Sequence, residues 1–314
     1  MKSILLATLL VFAGCGGKDT PPPASPATPP PAEATAQATP PPAAPTEPAP
    51  APTPPPPAEP PAPAIPPYSP GADVSDAIRA AIAATDRDDK DRALDAGRKP
   101  GEVLAFFKVE PGQKVGELFA AGGYTTELMA RTVGDGGKVY AQNTKDILDR
   151  FARAPLTARL EKPVMKNTVM VEQPAETPFP ADAKNLDAVI CILNYHDFVW
   201  LKVDRAKLNK AVFAALKPGG VYGIVDHSAT KGSGLNDVQT LHRIDEDAVK
   251  KEILAAGFKL DGESDALRNA EDPRDWNASP TKAAEKRGTS DRFVLRFVKP
   301  GGKAAKPAKG KKAK

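Results

Sequence analysis

The sequence predicts an α/β sandwich built on a mostly parallel sheet. Between residues 73 and 298, short apolar runs of strand length alternate with segments of helical period, the pattern of repeated strand–helix units. One run, Ala188 to Leu193, is apolar without a break, as suits a strand covered on both faces. The last two strand-like runs follow one another with no clear helix between them, which points to an antiparallel edge.

The elements follow in order. Residues 78–95 read as one polar helix dense in Arg and Asp. Pro100 sits in the first turn of a helix carrying Val103, Leu104, Phe106 and Phe107, where its missing N–H costs nothing. Pro111-Gly112 turns the chain into a strand over 114–119, followed by a helix over 125–132. Gly136-Gly137 leads into a second strand, 138–142. Residues 145–160 are helical, 169–172 a third strand and 188–193 a fourth. A helix over 204–216 carries Leu208, Val212, Phe213 and Leu216 on one side. Pro218-Gly219-Gly220 turns into a strand over 221–225. A helix over 247–256 is capped by Asp245, and 258–261 and 292–298 are the closing strands.

The ends of the chain are of a different kind. Lys2 and the apolar run Ile4 to Phe12 form a signal-like start too short to span a bilayer. Phe12-Ala13-Gly14-Cys15 resembles a bacterial lipobox, with Phe12 where Leu is usual. The resemblance implies cleavage before Cys15, lipidation of that residue and a membrane lipoprotein of the cell envelope; an uncleaved start implies a cytoplasmic protein. Residues 16–72 hold most of the 36 prolines and form a tether of polyproline type, about 150 Å if fully extended. Residues 299–314 are a lysine-rich tail expected to be disordered.

Net charge is +4 over the whole chain, but the tail alone carries seven lysines and no acid. Residues 71–298 come to −1, so the basic balance does not belong to the fold, and a specific nucleic-acid surface is not expected. With two cysteines, neither a disulfide framework nor a zinc cluster is expected. Cys191 lies in an apolar run and reads as an inert buried thiol.

The blocks Arg98-Lys99-Pro100, GELFAAGGYTTELMA, PAETPFP, LDAVICILNYHDF, LKPGGVYGIVDH and AAGF together resemble the class I S-adenosylmethionine-dependent methyltransferases. More narrowly, they are similar to a bacterial, often exported group with a GGY or GGGW loop. The resemblance implies a Rossmann-like, seven-stranded, mostly parallel sheet whose last strand is antiparallel. It implies S-adenosyl-L-methionine as cofactor and a small-molecule acceptor, bound beyond the carboxyl ends of the strands.

Carried onto this chain, the resemblance puts Glu117 at the methionine end of the cofactor, where a carboxylate can accept from an ammonium. Ala121, Gly122, Gly123 and Tyr124 form the loop that passes close to the ligand. Phe119 and Ala121 stand where such loops carry glycine, so the Phe119 ring has to point into the helix layer. A side chain added at Gly123 is expected to block the cofactor with little unfolding. Asn143 replaces the usual acid at the ribose, and Ala175 and Glu176 follow the third strand at the adenine. Asn194 adjoins the sulfonium.

Among the residues themselves, His196 and His227 end neighbouring strands and belong on one rim. His196 could act as a general base, with Asp197 or Asp226 orienting an imidazole; a structural role for each, with Asp197 as a helix cap, stays open. A metal held by His196, His227 and Asp226 is not demanded by the spacing, and no metal is expected. Tyr124 and Tyr195 could wall a cationic methyl donor. Beside the enzyme reading stands a second: a tethered, catalytically inactive lipoprotein that binds a ligand or partner, consistent with the altered loop positions and the cytoplasmic origin of the methyl donor. A third, a structural envelope spacer, accounts for the tether alone.

Overall fold

A computed structural model of the chain describes residues 68–301. Cys15, the proline-rich tether up to residue 67 and the lysine tail beyond 301 lie outside the described residues. The elements are α1 (Asp76–Ala83), α2 (Asp89–Arg98), α3 (Pro100–Phe106), β1 (Lys114–Leu118), α4 (Tyr124–Val133), β2 (Lys138–Asn143), α5 (Lys145–Ile147), α6 (Arg153–Leu160), β3 (Thr168–Glu172), β4 (Leu186–Ile192), α7 (Tyr195–Trp200), α8 (Arg205–Ala215), β5 (Leu216–His227), α9 (Val238–Leu241), α10 (Glu246–Ala255), β6 (Lys259–Ser264) and β7 (Arg292–Val298).

One seven-stranded sheet runs in the order β3-β2-β1-β4-β5-β7-β6. Strands β1 to β5 are parallel, and β7 is antiparallel to both β5 and β6. This is the class I methyltransferase sheet that the resemblance implied. The final strand is not at the edge: it enters between β5 and β6, and β6 closes the sheet. Strand order reverses between β1 and β4, so a crevice opens there at the carboxyl ends.

Alternation along the strands feeds two apolar layers. Val115, Val139, Ala188, Ile190 and Val225 face α1, α3 and α4, where Ile78, Leu104, Leu128 and Met129 pack. Leu118, Val189, Cys191, Tyr222, Ile224, Phe293, Leu295 and Phe297 face α7, α8 and α10. Burial raises the Cys191 thiol well above its ordinary value, in keeping with an inert core residue.

The single helix expected over 78–95 is two. Ser75 caps α1 by accepting from the Ile78 N–H. The chain then breaks at Thr85-Asp86-Arg87-Asp88, where Asp86 and Asp88 compete with the helical backbone and Thr85 is β-branched. Arg87 turns inward and forms a two-pronged pair with Asp95 at 2.7 and 2.8 Å. The helical stretch 145–160 is interrupted by a π-helical turn over Leu148–Ala152. Strand β5 starts at Leu216, ahead of the expected turn, with a register shift at Leu186/Ala188 absorbing Pro218 and the glycines. Between β6 and β7 the chain runs from 265 to 291 with only a 3-10 turn, Ala284–Lys286.

Candidate functional site

Strand β1 ends in a tight loop. Phe119 and Ala121 take left-handed conformations with φ of 50° and 48°, and Gly123 has φ 84°. A non-glycine residue is strained there, so neighbours must hold the loop, and they do. Gln142 Oε1 accepts the Phe119 N–H at 3.2 Å, and Asn143 Oδ1 accepts the Ala121 N–H at 2.9 Å. The Phe119 ring turns into the helix layer and lies edge-on to Phe198, 4.6 Å between centroids.

From the other side, the Arg159 Nε donates to the Gly122 carbonyl at 2.7 Å. A Cβ on Gly123 would lie 2.9 Å from both Arg159 Cδ and Leu156 Cδ1. The glycine is therefore required first by the packing of α6. Arg159 in turn joins Asp91 and Glu127 in a buried ion cluster.

Glu117 is buried beneath this loop and accepts from the Thr126 hydroxyl. Burial pushes its pKa up to about 7, against the pull of the Thr126 and Thr125 hydroxyls and of Arg98. Nearby, a cavity of about 20 Å³ is lined by Arg98, Tyr124, Thr125, Leu193, Leu267 and Arg292 among others, room for little more than one water. Neither Arg98 nor Arg292 has a carboxylate partner among the described residues; Arg292 donates only to the Ser290 and Gly288 carbonyls. Burial lowers both guanidinium pKa values, that of Arg292 to about 10. Tyr124 donates to Asp95 at 2.6 Å while Arg98 stacks on its ring at 4.3 Å. Tyr195, by contrast, points away into the α8–α10 layer, where it donates to Glu252 and accepts from Asn209.

An open cleft of about 450 Å³ lies beyond β1, β2 and β3, lined by Phe119, Thr144, Asp146, Glu172, Pro174, Ala175, Glu176 and Val203 among others. Ala175 forms part of its buried floor, and Glu176 accepts the Asp204 N–H at 3.1 Å. Asn143 does not line the cleft: its amide is spent on the loop. The acids that do line it near the end of β2 are Asp146 and Glu172, neither singled out from the sequence. Their signal was weak, since both are exposed and sit among other charged residues.

The other half of the rim is built by α7, β5 and α9. Asn194 donates to the carbonyls of Phe119 and Ile192, at 3.1 and 2.7 Å, tying the β4 end to the β1 loop. One turn on, Asp226 accepts three hydrogens: from His196 Nδ1 at 2.6 Å, His196 N at 2.8 Å and His227 N at 2.7 Å. Burial pulls the His196 pKa down, but the Asp226 charge outweighs it and the net shift is upward. His196 Nε2 is buried and has no hydrogen-bond partner among the described residues. Asp197 lies 3.4 Å from that nitrogen, with its pKa pushed to about 6 by burial.

His227 bonds Ser290 through Nδ1 at 2.7 Å, its ring 5.9 Å from that of His196; burial lowers its pKa well below the ordinary value. His242 stands 4.0 Å from the His196 ring. Burial lowers its pKa to about 4, with the His196 charge adding to the effect. All three histidines of the chain thus meet at one rim, although His242 lies in a segment with no strand to announce it.

No protein-family model matches the chain, and no curated protein matches it. Among solved structures, it is similar to a SAM-dependent methyltransferase from Aquifex aeolicus, at 18% identity over 67% of this chain and 96% of that one, TM-score 0.46. It is also similar to a putative sarcosine dimethylglycine methyltransferase from Galdieria sulphuraria, at 16% identity over 67% and 88%, TM-score 0.47. The [4+2]-cyclase SpnF is similar at 15% identity over 66% and 82%, TM-score 0.49.

Proposed function

We propose that the chain is an S-adenosylmethionine-dependent methyltransferase acting on a small-molecule acceptor, held at a membrane of the cell envelope by a lipid on Cys15. The observation that carries the reading is Glu117: a buried carboxyl at the end of β1, beneath a left-handed backbone loop, at the strand-order reversal. A buried acid with a raised pKa suits a cationic ligand, because an ammonium brought against it restores the charge that burial disfavours.

The rest of the set fits the same cofactor. Arg98 and Arg292 would take its carboxylate, each without a carboxylate in hydrogen-bond contact among the described residues. Asp146 and Glu172 would take the ribose hydroxyls, and the cleft over Ala175 the adenine. The cofactor supplies an electrophilic methyl group on a sulfonium. The chain supplies alignment and exclusion of water, which account for most of the acceleration in a displacement of this kind. His196, oriented by Asp226, faces the acceptor.

A second reading, a tethered binding protein without turnover, draws on two observations. The Asn143 amide is committed to Ala121, and the cavity beside Arg98 and Arg292 is closed to all but water. Calorimetric titration of the full chain with S-adenosylmethionine separates the two. Micromolar binding that Glu117→Leu weakens by about tenfold or more supports the enzyme; no heat at millimolar cofactor supports the binding protein. For the anchor, Cys15→Ser should move the protein from membrane to soluble fractions.

A further inference from the structure

We propose that His196, Asp197 and His242 form a binding site for a first-row divalent cation of the zinc type. One ligand atom from each of the three lies within 4.8 Å of the other two. His196 Nε2 and Asp197 Oδ1 are 3.4 Å apart, and His242 Nε2 and Asp197 Oδ1 are 4.0 Å apart. Ligands at about 2.0–2.1 Å around a tetrahedral ion stand roughly 3.3–3.4 Å from one another. The first pair already has that spacing, and His242 has to close on Asp197 by about 0.6 Å.

A second observation points to the same place. His196 is fully buried, yet its Nε2 has no partner among the described residues. Asp226 holds the hydrogen on Nδ1, which leaves Nε2 of the neutral imidazole a bare acceptor, with Asp197 Oδ1 3.4 Å away. A carboxylate behind an imidazole is the arrangement that orients and strengthens a histidine ligand. A buried acceptor left without a donor is otherwise a cost with no return.

His242 caps the end of α9 in a left-handed conformation, φ 56°. The Asp197 and His242 side chains are each about one-fifth exposed, which gives an ion a way in. Two imidazoles and one carboxylate favour zinc, iron, nickel or copper over magnesium or calcium. Three protein ligands leave a position open to water or to an oxygen of the acceptor.

His227 is outside the set, with Nδ1 on Ser290; the group convergent in space is not the His196, His227 and Asp226 set considered from the sequence. The inference does not depend on the methyl donor. It changes one role only: a nitrogen that holds an ion is not a proton acceptor, so His196 would then act on the acceptor through the ion.

The chain has three histidines, all at this rim, so histidine-dependent metal binding reports on this cluster alone. The test uses the full chain on a histidine-free tag, titrated with zinc by calorimetry and with cobalt(II) by visible absorption. The expected result is one ion per chain, with cobalt bands of low-coordinate imidazole ligation. His242→Asn, which tolerates the left-handed backbone, and Asp197→Asn should each lower affinity about tenfold or more. Asp226→Asn should lower it about 10–100-fold. Circular dichroism confirms that each variant folds. No zinc bound by the parent, or affinity unchanged in both His242→Asn and His196→Gln, overturns the site and leaves the cofactor titration to stand or fall separately.

Discussion

His196 donates its Nδ1 hydrogen to Asp226 Oδ1 across 2.6 Å, joining the first turn of α7 to the end of β5. The same carboxylate also takes the backbone N–H groups of His196 and His227. One fully buried acid thus sets the position and the proton of the histidine at the rim.

In metal-free protein, the His196 pKa should lie above its ordinary 6.5, because the Asp226 charge outweighs burial. A histidine with a raised folded pKa stabilises the fold below its unfolded value, and that stability is lost as pH rises through the folded value. In Asp226→Asn only the Asp197 charge still opposes burial, so the His196 pKa should fall and the pH dependence should weaken. Imidazole titration by NMR reads both. Methyl transfer in this variant should fall further than cofactor affinity; equal losses would assign the pair to binding.

Glu117 behaves in the same direction for a different reason. Burial lifts its pKa from 4.5 to about 7. Stability from this group is fully present below about 4.5 and is lost as pH rises through about 7, on the order of 3 kcal/mol in all. Glu117→Gln should flatten denaturant-measured stability across this window and be the more stable protein near pH 8. Cofactor binding should release a proton near pH 6, seen as a buffer-dependent heat, and Glu117→Gln should abolish that release.

Gly123→Val should unfold the protein more readily, not merely block a ligand. The new Cβ meets Leu156 and Arg159 at 2.9 Å, and the φ of 84° disfavours a β-branched residue. A loss of about 1–3 kcal/mol in urea unfolding is expected. Unchanged stability with lost cofactor binding would restore the simpler reading of the loop.

Arg243 and Asp272 form an ion pair with both side chains fully buried, and Arg243 also donates to the carbonyls of Ser228 and Trp276. The pair pins the 265–291 segment beside His242. Arg243→Ala leaves a buried carboxylate uncompensated and should cost about 3–5 kcal/mol. Faster proteolysis within 265–291 is the local readout.

The sheet was legible because apolar runs and glycine turns are local signals: β2, β4 and β7 fall within two residues of the expected bounds. The positions of Glu117 inside β1 and of Asn194 just past β4 were legible because both strands are short apolar runs. What was missed depends on distance in sequence. The order β5-β7-β6 is set by pairing across the 265–291 segment, which carries no periodicity. His242 reaches His196 from 46 residues away on a four-residue helix. The resemblance put Asn143 at the ribose, whereas its amide oxygen closes the β1 loop by accepting from Ala121, a residue without the freedom of glycine.

The proposed function puts the methyl donor between the β1 loop and His196. It is tested most directly by isotope-filtered NMR of the full chain with S-adenosylmethionine labelled at the methyl group. Cross-relaxation from that methyl to the His196 ring and the Asn194 side chain, lost in Glu117→Leu, is the expected result. A bound cofactor whose methyl contacts neither residue would contradict the account.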